Sequence, residues 1–273
     1  MIHPTAIIHP KAVLDASVVV GPYAVIDAHV QLGPRCRVGP HVHLTGHTTI
    51  GADNSFHTGC VIGDAPQDLK YDGAPTRLRM GDHNVVREHA TVHRSSKPGE
   101  ETAIGSRNFL MAGCHVGHNA TLGDHVIVAN GALLAGHTTV EDRVFISGNC
   151  LVHQFVRVGT LALMQGGSAI SKDLPPFTIA RGQNGICGLN VVGLRRAGYS
   201  AEHRRALKEA YHLLFRSRKP FQESLNDVAR MDAEPVRALV AFIRGGKRGL
   251  CSDTGFPLAG APGESEENDA GMG

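Results

Sequence analysis

The fold is decided by residues 104–170, which read IGSRNFLMAGCHVGHNATLGDHVIVANGALLAGHTTVEDRVFISGNCLVHQFVRVGTLALMQGGSAI. An apolar residue stands at every sixth position of this stretch, from Ile104 to Ile170. The same register extends back to Ile2, and only Asp68 and Pro98 are not apolar in it. Neither an α-helix nor an ordinary strand has a six-residue period, so the pattern indicates a repeat architecture.

A second column, mostly of small residues, stands four positions after the apolar one, as at Ala90, Cys114 and Ala132. Glycine repeatedly follows the apolar residue itself, as at Gly33 and Gly123. The two columns predict an all-β solenoid, a parallel β-helix in which each hexad is one short strand and a tight turn. Three hexads close one coil, one large and one small side chain point inward, and glycine relieves the corner backbone.

Breaks in the register divide the chain. We expect the β-helix over residues 1–185, with insert loops at about 64–79 and 94–101. Residues 186–250 are predicted to hold a connector and an α-helical subdomain, whose main helix runs from a Ser200 cap to Arg218. The segment 171–198 reads as irregular, and the Gly-rich, acidic tail 251–273 is predicted to be disordered.

Composition excludes several classes of protein. Only 5% of the residues are aromatic and 33 of the 273 are glycine, which argues against an α/β core anchored by aromatic side chains. The net charge of +2 is too small for nucleic acid to be the main partner. No stretch is long and apolar enough to insert into a membrane and no signal peptide is evident, so a cytoplasmic location is expected. The six cysteines form no metal-type cluster, and four occupy the small inward column.

Candidate chemistry comes from histidines one coil apart. His118 follows the inward Val116 by two places, and Gly136 and His137 stand one coil later. Stacked coils place them about 4.8 Å apart. An imidazole can accept a proton near neutral pH, and an adjacent backbone N–H can stabilise an oxyanion. A surface role for these histidines, or a metal site built on His115 and His118, is the alternative.

Several longer motifs resemble the acyl-[acyl-carrier-protein]–UDP-N-acetylglucosamine O-acyltransferases, which start lipid A biosynthesis. They are PQDLKYDGAPTR at 66–77, LMAGCHVGHNATLGDHVIVAN at 110–130, VHQFVRVG at 152–159 and GLNVVGLRRAGYS at 188–200. The resemblance covers residues 1 to about 250. It implies a left-handed parallel β-helix and a homotrimer with its sites between subunits. It also implies transfer of a 3-hydroxyacyl group from acyl carrier protein to the 3-hydroxyl of UDP-N-acetylglucosamine, without a cofactor or a metal.

The resemblance also assigns roles to individual residues. It implies that His118 is the general base and that the amide of Gly136 forms the oxyanion hole. Gly166 matches the position that limits the length of the acyl chain. The remaining matches are substrate-binding residues: Asp68, Lys70, His115, His137, His153, Gln154, Asn190 and Arg196.

Three positions depart from the family's pattern. Asn119 follows the base where the family often has Asp, and an amide cannot stabilise an imidazolium as a carboxylate does. Val192 and Ala197 replace a Glu and an Arg near the expected uridine site.

The C-terminal helices are basic, which suits either docking of the acidic carrier protein or a solvated face. Their basic residues are Arg204, Arg205, Lys208, Arg216, Arg218 and Lys219.

Other functions stay open at this point. N-acylation of a 3-amino analogue of the sugar nucleotide would use the same base. A metal-dependent solenoid like the carbonic anhydrases, or a scaffold trimer without catalytic activity, would share the fold, because a fold does not specify a function.

Overall fold

The computed structural model describes residues 1–254, in which the strands form three sheets of nine, eight and eleven. The nine-stranded face consists of Ile7–Ile8, Val25–Ile26, His43–Leu44, Val61–Asp64, Thr91–His93, His115–Val116, Leu133–Leu134, Leu151–Val152 and Ala169–Ile170. The eight-stranded face consists of Val13–Leu14, Gln31–Leu32, His47–Ile50, Arg77–Met80, Glu101–Ile104, Thr121–Leu122, Thr139–Val140 and Arg157–Val158. The eleven-stranded face consists of Val19–Val20, Arg37–Val38, Ser55–Phe56, Val85–Val86, Phe109–Leu110, Ile127–Val128, Phe145–Ile146, Leu163–Met164, Thr178–Arg181, Gly185–Leu189 and Ser252–Asp253.

The chain visits the three faces in turn, so each coil is a triangle of three short strands. Strands on one face pair in parallel with the next coil, for example Val116 with Leu134 and Leu134 with Val152. Both predicted inward columns are buried: Val116, Leu134 and Ala132 are fully enclosed, and Cys114 and Cys150 pack beside them. The predicted parallel solenoid is confirmed. Burial raises the pKa of the Cys114 thiol to about 12, as expected for a core residue.

The glycines that directly follow the apolar residue have a different role from the predicted one, whereas Gly59, Gly113, Gly131 and Gly167 do adopt the left-handed corner backbone. The left-handed backbone falls three positions after the apolar residue, at His137 (φ 59°) and Arg143 (φ 57°), for example. Gly33, one position after Leu32, lacks a positive φ, but a Cβ there would stand 2.7 Å from the carbonyl of Gly51 in the next coil. Glycine is required there by the close approach of stacked backbones.

The two inserts are shorter than predicted. Arg77–Met80 forms a strand against His47–Ile50, so the first insert spans residues 65–76. The second ends at residue 100, because Glu101–Ile104 is also a strand. Residues 77–80 look like an interruption of the six-residue repeat because Arg77 and Arg79 are exposed on the outer side of the strand. Leu78 and Met80 are buried on its inner side.

A ladder of asparagines runs through three successive coils of the core. Asn84 donates from its N–H and its side-chain amide to Oδ1 of Asn54, both at 2.9 Å. Oδ1 of Asn84 accepts from the N–H of Asn108 at 2.9 Å, and Oδ1 of Asn108 accepts from the N–H of Val126 at 2.7 Å. These buried amides therefore satisfy backbone donors of the following coil.

The C-terminal part is helical, as predicted, with α1 at Val191–Arg196, α2 at Ala201–Phe215, α3 at Phe221–Val228 and α4 at Glu234–Arg244. Ser200 caps α2 by accepting from the N–H of His203. The segment expected to be irregular holds the antiparallel strands Thr178–Arg181 and Gly185–Leu189.

The start of the tail also differs from the prediction. Cys251 is fully buried, and Ser252–Asp253 pairs with the strand Gly185–Leu189. The O–H of Tyr211 donates to the Asp253 carboxylate at 2.5 Å, and Arg216 pairs with it at 2.9 Å. These contacts fix residues 251–254 on α2. The rest of the tail predicted to be disordered, residues 255–273, lies outside the described residues.

A buried ion pair joins the β-helix to the helical part. The Asp173 side chain is 1% exposed, and it accepts from the Arg157 backbone N–H at 2.9 Å and the Arg157 guanidinium at 2.8 Å. The guanidinium also donates to the carbonyl of Phe242 on α4 at 2.7 Å and lies 4.1 Å from the centre of its ring. Arg157 thus bonds to both subdomains at once.

Replacement of Arg157 by Met tests this junction. The change leaves the Asp173 carboxylate buried without its cation, so we expect a loss of about 3 kcal/mol in the free energy of unfolding, measured in urea by circular dichroism. The control is Arg237→Met, because its partner Asp232 is 96% exposed. That variant is expected to lose less than about 0.5 kcal/mol. Equal losses in the two variants would contradict the role given to Arg157.

Candidate active site

A groove of about 590 Å³ runs along the outer side of the nine-stranded face in the described part of the chain. It begins at the corner between the nine- and eight-stranded faces. Its lining includes polar residues such as His115 and His118 and the apolar Leu133 and Leu151. Five predicted site residues meet in this lining: His115, His118, Gly136, His153 and Gln154.

His118 lies against Gly136 of the next coil, as the spacing predicted. A Cβ on Gly136 would stand 2.6 Å from Nε2 of His118, so only glycine leaves room for the imidazole. The Gly136 N–H makes no hydrogen bond to any residue in 1–254. A free backbone donor and a ring nitrogen therefore face one small space, which is the arrangement that a general base and an oxyanion site require.

The ring of His118 is oriented by its neighbour. Its Nδ1 lies 2.8 Å from Oδ1 of Asn119, an atom that can only accept a hydrogen bond. The proton of the neutral ring is therefore on Nδ1, and Nε2 carries the free electron pair. Asn119 sits in the left-handed region at φ 58°, which asparagine tolerates well.

His137 packs edge-on against His118, with ring centres 5.2 Å apart, and stacks on Phe155 at 4.6 Å. Burial lowers the pKa of His137, and the neighbouring His118 adds to this effect. A neutral His137 next to the base avoids repulsion when His118 takes up a proton. His137 thus forms one wall of the space around the base, whereas its own backbone N–H is used by the carbonyl of His118 at 2.9 Å.

Asp68 and Lys70 belong to the first insert, which folds back over this corner. The Lys70 N–H donates to Oδ1 of Asp68 at 3.0 Å, and this bond lowers the pKa of the Asp68 carboxyl, with contributions from the charges of His118 and Lys70. Asp68 is half-buried and Lys70 is exposed. Asp68 therefore lies within electrostatic range of the base, as expected for a residue of the same site.

His93 and His115 stand on adjacent coils of the groove wall, with ring centres 4.8 Å apart. Nδ1 of His115 lies 2.8 Å from the Thr91 hydroxyl. Burial, with His93 and His118 nearby, lowers the pKa of His115 to about 4. His93 is a residue that sequence reasoning missed; it is buried, and its Nδ1 has no partner among the described residues.

Arg248, which contacts the groove residue His153, was also missed. Its guanidinium lies 3.2 Å from Nδ1 of the exposed His153, although the two residues are far apart in sequence. The same Nδ1 also lies 3.3 Å from the Gln154 carbonyl oxygen, so the His153 ring sits between a guanidinium donor and a backbone acceptor. Only the folded position of the segment after α4 could reveal the contact with Arg248.

Three predicted site residues lie away from this groove in the single chain. Asn190 caps α1, with Oδ1 accepting from the Gly193 N–H and Nδ2 donating to the Leu161 carbonyl, both at 2.9 Å. Arg196 is exposed at the end of α1. Gly166 is exposed at the corner between the eleven- and nine-stranded faces, where a Cβ would meet only the Gly148 carbonyl, at 3.5 Å.

The two departures near the expected uridine site lie on the same helix. Val192 is 52% exposed on α1, and Ala197 ends it.

In the part of the chain that the structure describes, no three His, Cys, Asp or Glu side chains are grouped so that they could hold a metal ion. Among residues 1–254 there is also no helix with the length and hydrophobicity to span a bilayer.

Comparison with known proteins decides the family. Residues 173–251 match the family model described as UDP N-acetylglucosamine O-acyltransferase, domain 2, and residues 101–136 match that of the bacterial transferase hexapeptide. The chain is 48% identical over 253 residues to the acyl-[acyl-carrier-protein]–UDP-N-acetylglucosamine O-acyltransferase of Halorhodospira halophila, covering 91% of this chain and 98% of that one. The chain belongs to this family. It is therefore an acyltransferase.

Solved structures of the family agree with this fold. The UDP-N-acetylglucosamine acyltransferase of Francisella novicida superposes with a TM-score of 0.89 at 32% identity, over 93% of this chain and 95% of that one. The Moraxella catarrhalis O-acyltransferase gives 0.87 at 38% identity, over 92% and 99%. The predicted fold class, a left-handed parallel β-helix with a helical C-terminal part, is confirmed.

The depressed pKa of His115 predicts a loss of stability in mild acid. In the unfolded chain an imidazole takes up its proton near pH 6.5, whereas folded His115 stays neutral down to about pH 4. Between these values the unfolded state binds more protons, so acid favours unfolding. Urea unfolding at about pH 7 and about pH 5, at one protomer concentration, should show a smaller loss in His115→Gln than in the wild type.

The matched control is His9→Gln, since His9 is exposed in the first coil. This variant should lose as much stability as the wild type over the same pH interval. An unchanged loss in His115→Gln would show that the buried imidazole does not contribute to acid sensitivity.

Proposed function

We propose that this acyltransferase moves a 3-hydroxyacyl group from acyl carrier protein to the 3-hydroxyl of UDP-N-acetylglucosamine, the first step of lipid A biosynthesis. The observation that carries the proposal is the fit of the His118 ring against Gly136, on a chain whose relatives are named for this reaction. The location proposed for the reaction is the cytoplasm, and the reaction needs no cofactor.

The chemistry follows from the two free groups at the corner. The sugar 3-hydroxyl gives its proton to Nε2 of His118 while its oxygen attacks the thioester carbonyl carbon. The oxyanion that forms accepts a hydrogen bond from the Gly136 N–H. The tetrahedral intermediate then collapses, the C–S bond breaks, and the His118 imidazolium returns the proton to the departing carrier-protein thiolate.

The sugar nucleotide lies, in this proposal, between the insert and the groove wall. Asp68 accepts from sugar hydroxyls, and Lys70 is free to bind an oxygen of the sugar or the diphosphate. His115 and His137 are held neutral beside the base, which suits hydrogen bonding to uncharged hydroxyls. His153 and Gln154 lie further along the groove, where the glucosamine and the diphosphate would extend.

A homotrimer completes the site. Asn190, Arg196 and Gly166 lie away from the His118 groove within one chain, so their proposed roles toward the uridine and the acyl chain require a neighbouring copy. Leu69 at the tip of the first insert is fully exposed, and Leu133 and Leu151 are partly exposed on the groove wall. Exposed apolar groups of this kind favour an interface.

The acyl carrier protein is proposed to dock on α2. Arg205 and Lys208 lie with Arg204, Leu189 and Tyr211 around a cavity of about 450 Å³. Two of the other basic residues are already paired, Arg216 with Asp253 and Lys219 with Asp227. Arg204, Arg205 and Lys208 lie together on α2, where an acidic carrier protein would gain in association rate.

Mass spectrometry of the reaction products tests the proposal. UDP-N-acetylglucosamine is incubated with a series of 3-hydroxyacyl carrier proteins of different chain length, and one product heavier by a single hydroxyacyl group is expected. His118→Ala should lower its rate by at least about 100-fold, because the general base is lost. The control, His125→Asn, changes an exposed histidine at another corner and should keep full activity.

Two results would contradict the O-acyl assignment. One is the absence of product with every acyl chain. The other is faster acylation of the 3-amino analogue of the sugar nucleotide, which would point to amide formation at the same base. The same spectra identify both products by mass, so a single set of reactions separates the two acceptors.

Gly166 supplies a prediction about chain length. Its position admits a side chain, since an added Cβ would make only an ordinary contact with the Gly148 carbonyl at 3.5 Å. If the acyl chain ends there, Gly166→Met should move the preferred substrate to a shorter acyl chain in a competition between carrier proteins. The rate with the shortest chain serves as the internal control and should not change. An unaltered preference would place the end of the acyl chain elsewhere.

A further inference from the structure

The side chain of Asn119 lies at the centre of a hydrogen-bond network behind the base. Its Oδ1 accepts from Nδ1 of His118 at 2.8 Å, from the Ser96 N–H at 2.9 Å and from the Ser96 hydroxyl at 3.1 Å. Its Nδ2 donates to the Ser95 hydroxyl at 2.7 Å and to the Glu100 carboxylate at 2.5 Å. The oxygen and both N–H groups of the amide are therefore all used.

These partners allow one orientation of the amide. The Ser96 N–H can only donate, so it requires the oxygen of Asn119. The Glu100 carboxylate can only accept, so it requires the nitrogen. A flipped amide would lose both bonds and would bring Oδ1 against the carboxylate. The second insert, residues 94–100, therefore selects the form of His118 that has its proton on Nδ1 and leaves Nε2 free.

The network also places a negative charge, the carboxylate of Glu100, behind the base. Asn119 is neutral, but its amide connects the imidazole with the carboxylate of Glu100, which lies in the second insert. A hydrogen bond to a carboxylate polarises the amide and increases the negative charge on its oxygen. The oxygen of Asn119 thus becomes a better acceptor for the Nδ1–H, and more so when the ring is an imidazolium.

We propose that Glu100 is a positioning residue that supplies, through Asn119, the negative charge behind His118 that residue 119 itself lacks. The inference rests on the proposed role of His118 as the base. Glu100 does not touch the reacting atoms, and its effect reaches them through the amide. The other titratable and charged groups around His118 and His137 are Asp68, His93, Lys97 and His115.

An exchange of charge between positions 100 and 119 tests the proposal. Glu100→Gln keeps the shape but removes the charge, so kcat should fall about 3–10-fold while both KM values change less than about twofold. Asn119→Asp places a second carboxylate against Glu100, and the repulsion should lower kcat by about 10–100-fold. In the double variant the new amide at position 100 donates to the new carboxylate at position 119, so kcat should return to within about threefold of the wild type.

The pH profile separates a charge effect from a structural one. Removal of the Glu100 charge disfavours the imidazolium, so the acid limb of kcat/KM should move to lower pH in Glu100→Gln. In the double variant a carboxylate lies directly behind the ring, so that limb should move to higher pH than in the wild type. Glu101→Gln is the control, because Glu101 pairs with Arg79 on the outer face and should leave the profile unchanged.

A second measurement does not depend on turnover. Nitrogen-15 chemical shifts of histidine distinguish a ring protonated at Nδ1 from one protonated at Nε2, and His118→Ala identifies the signals of His118. The wild type should show the Nδ1–H form, and Asn119→Ala a mixture with Nε2–H. If the wild-type enzyme forms no product, the proposed reaction is wrong, but this spectrum still tests the tautomer.

Two kinetic results would overturn the inference. One is wild-type kcat in both Glu100→Gln and Asn119→Asp. The other is an Asn119→Asp defect that Glu100→Gln does not relieve, which would show that residue 119 acts by shape alone. A wild-type spectrum dominated by the Nε2–H form of His118 would contradict the network itself.

Discussion

Backbone hydrogen bonds between successive coils set the positions of the side chains and backbone groups that form the site. The N–H of His137 donates to the carbonyl of His118 at 2.9 Å, and the same type of bond recurs along the β-helix. Strands joined in this way are about 4.8 Å apart, which leaves little room between stacked corners. A large side chain that lies between two stacked corners therefore requires glycine, which has no side chain, at the same corner of the next coil. The space for the His118 ring above Gly136 follows directly from this spacing.

The inserts preserve this stacking although they interrupt the coil. Ile62 and Met80 occupy consecutive places in the core but are 18 positions apart in sequence, and Val92 and Ile104 are 12 apart. Both distances are multiples of six, so the apolar register continues across each insert as if it were absent. For that reason Asp68 and Pro98 look like exceptions to the repeat, whereas the structure places them outside the coils. The inserts meet above the corner that holds His118.

The six-residue repeat predicted the groups whose positions depend on it, whereas the loop residues Asp68 and Lys70 were predicted only through the family resemblance. A one-coil spacing was enough to bring His118 and Gly136 together, and the inward columns were identified residue by residue. The bond between Glu100 and Asn119 and the contact of Arg248 with His153 join segments of different periodicity, so no spacing rule could predict them. Sequence similarity alone also could not show that the Asn190 side chain is used as a helix cap.

The asparagine ladder makes the coils of this β-helix distinguishable from one another. An aliphatic column alone would permit coils to pair out of step, because each coil offers the next nearly the same surface. Any pairing that separates Asn54, Asn84 and Asn108 would set a buried amide against an apolar side chain, at about 1–3 kcal/mol for each unpaired group. The three asparagines thus favour one pairing of the coils within a repetitive core. Three polar side chains in the interior therefore help to specify which coils pair during folding.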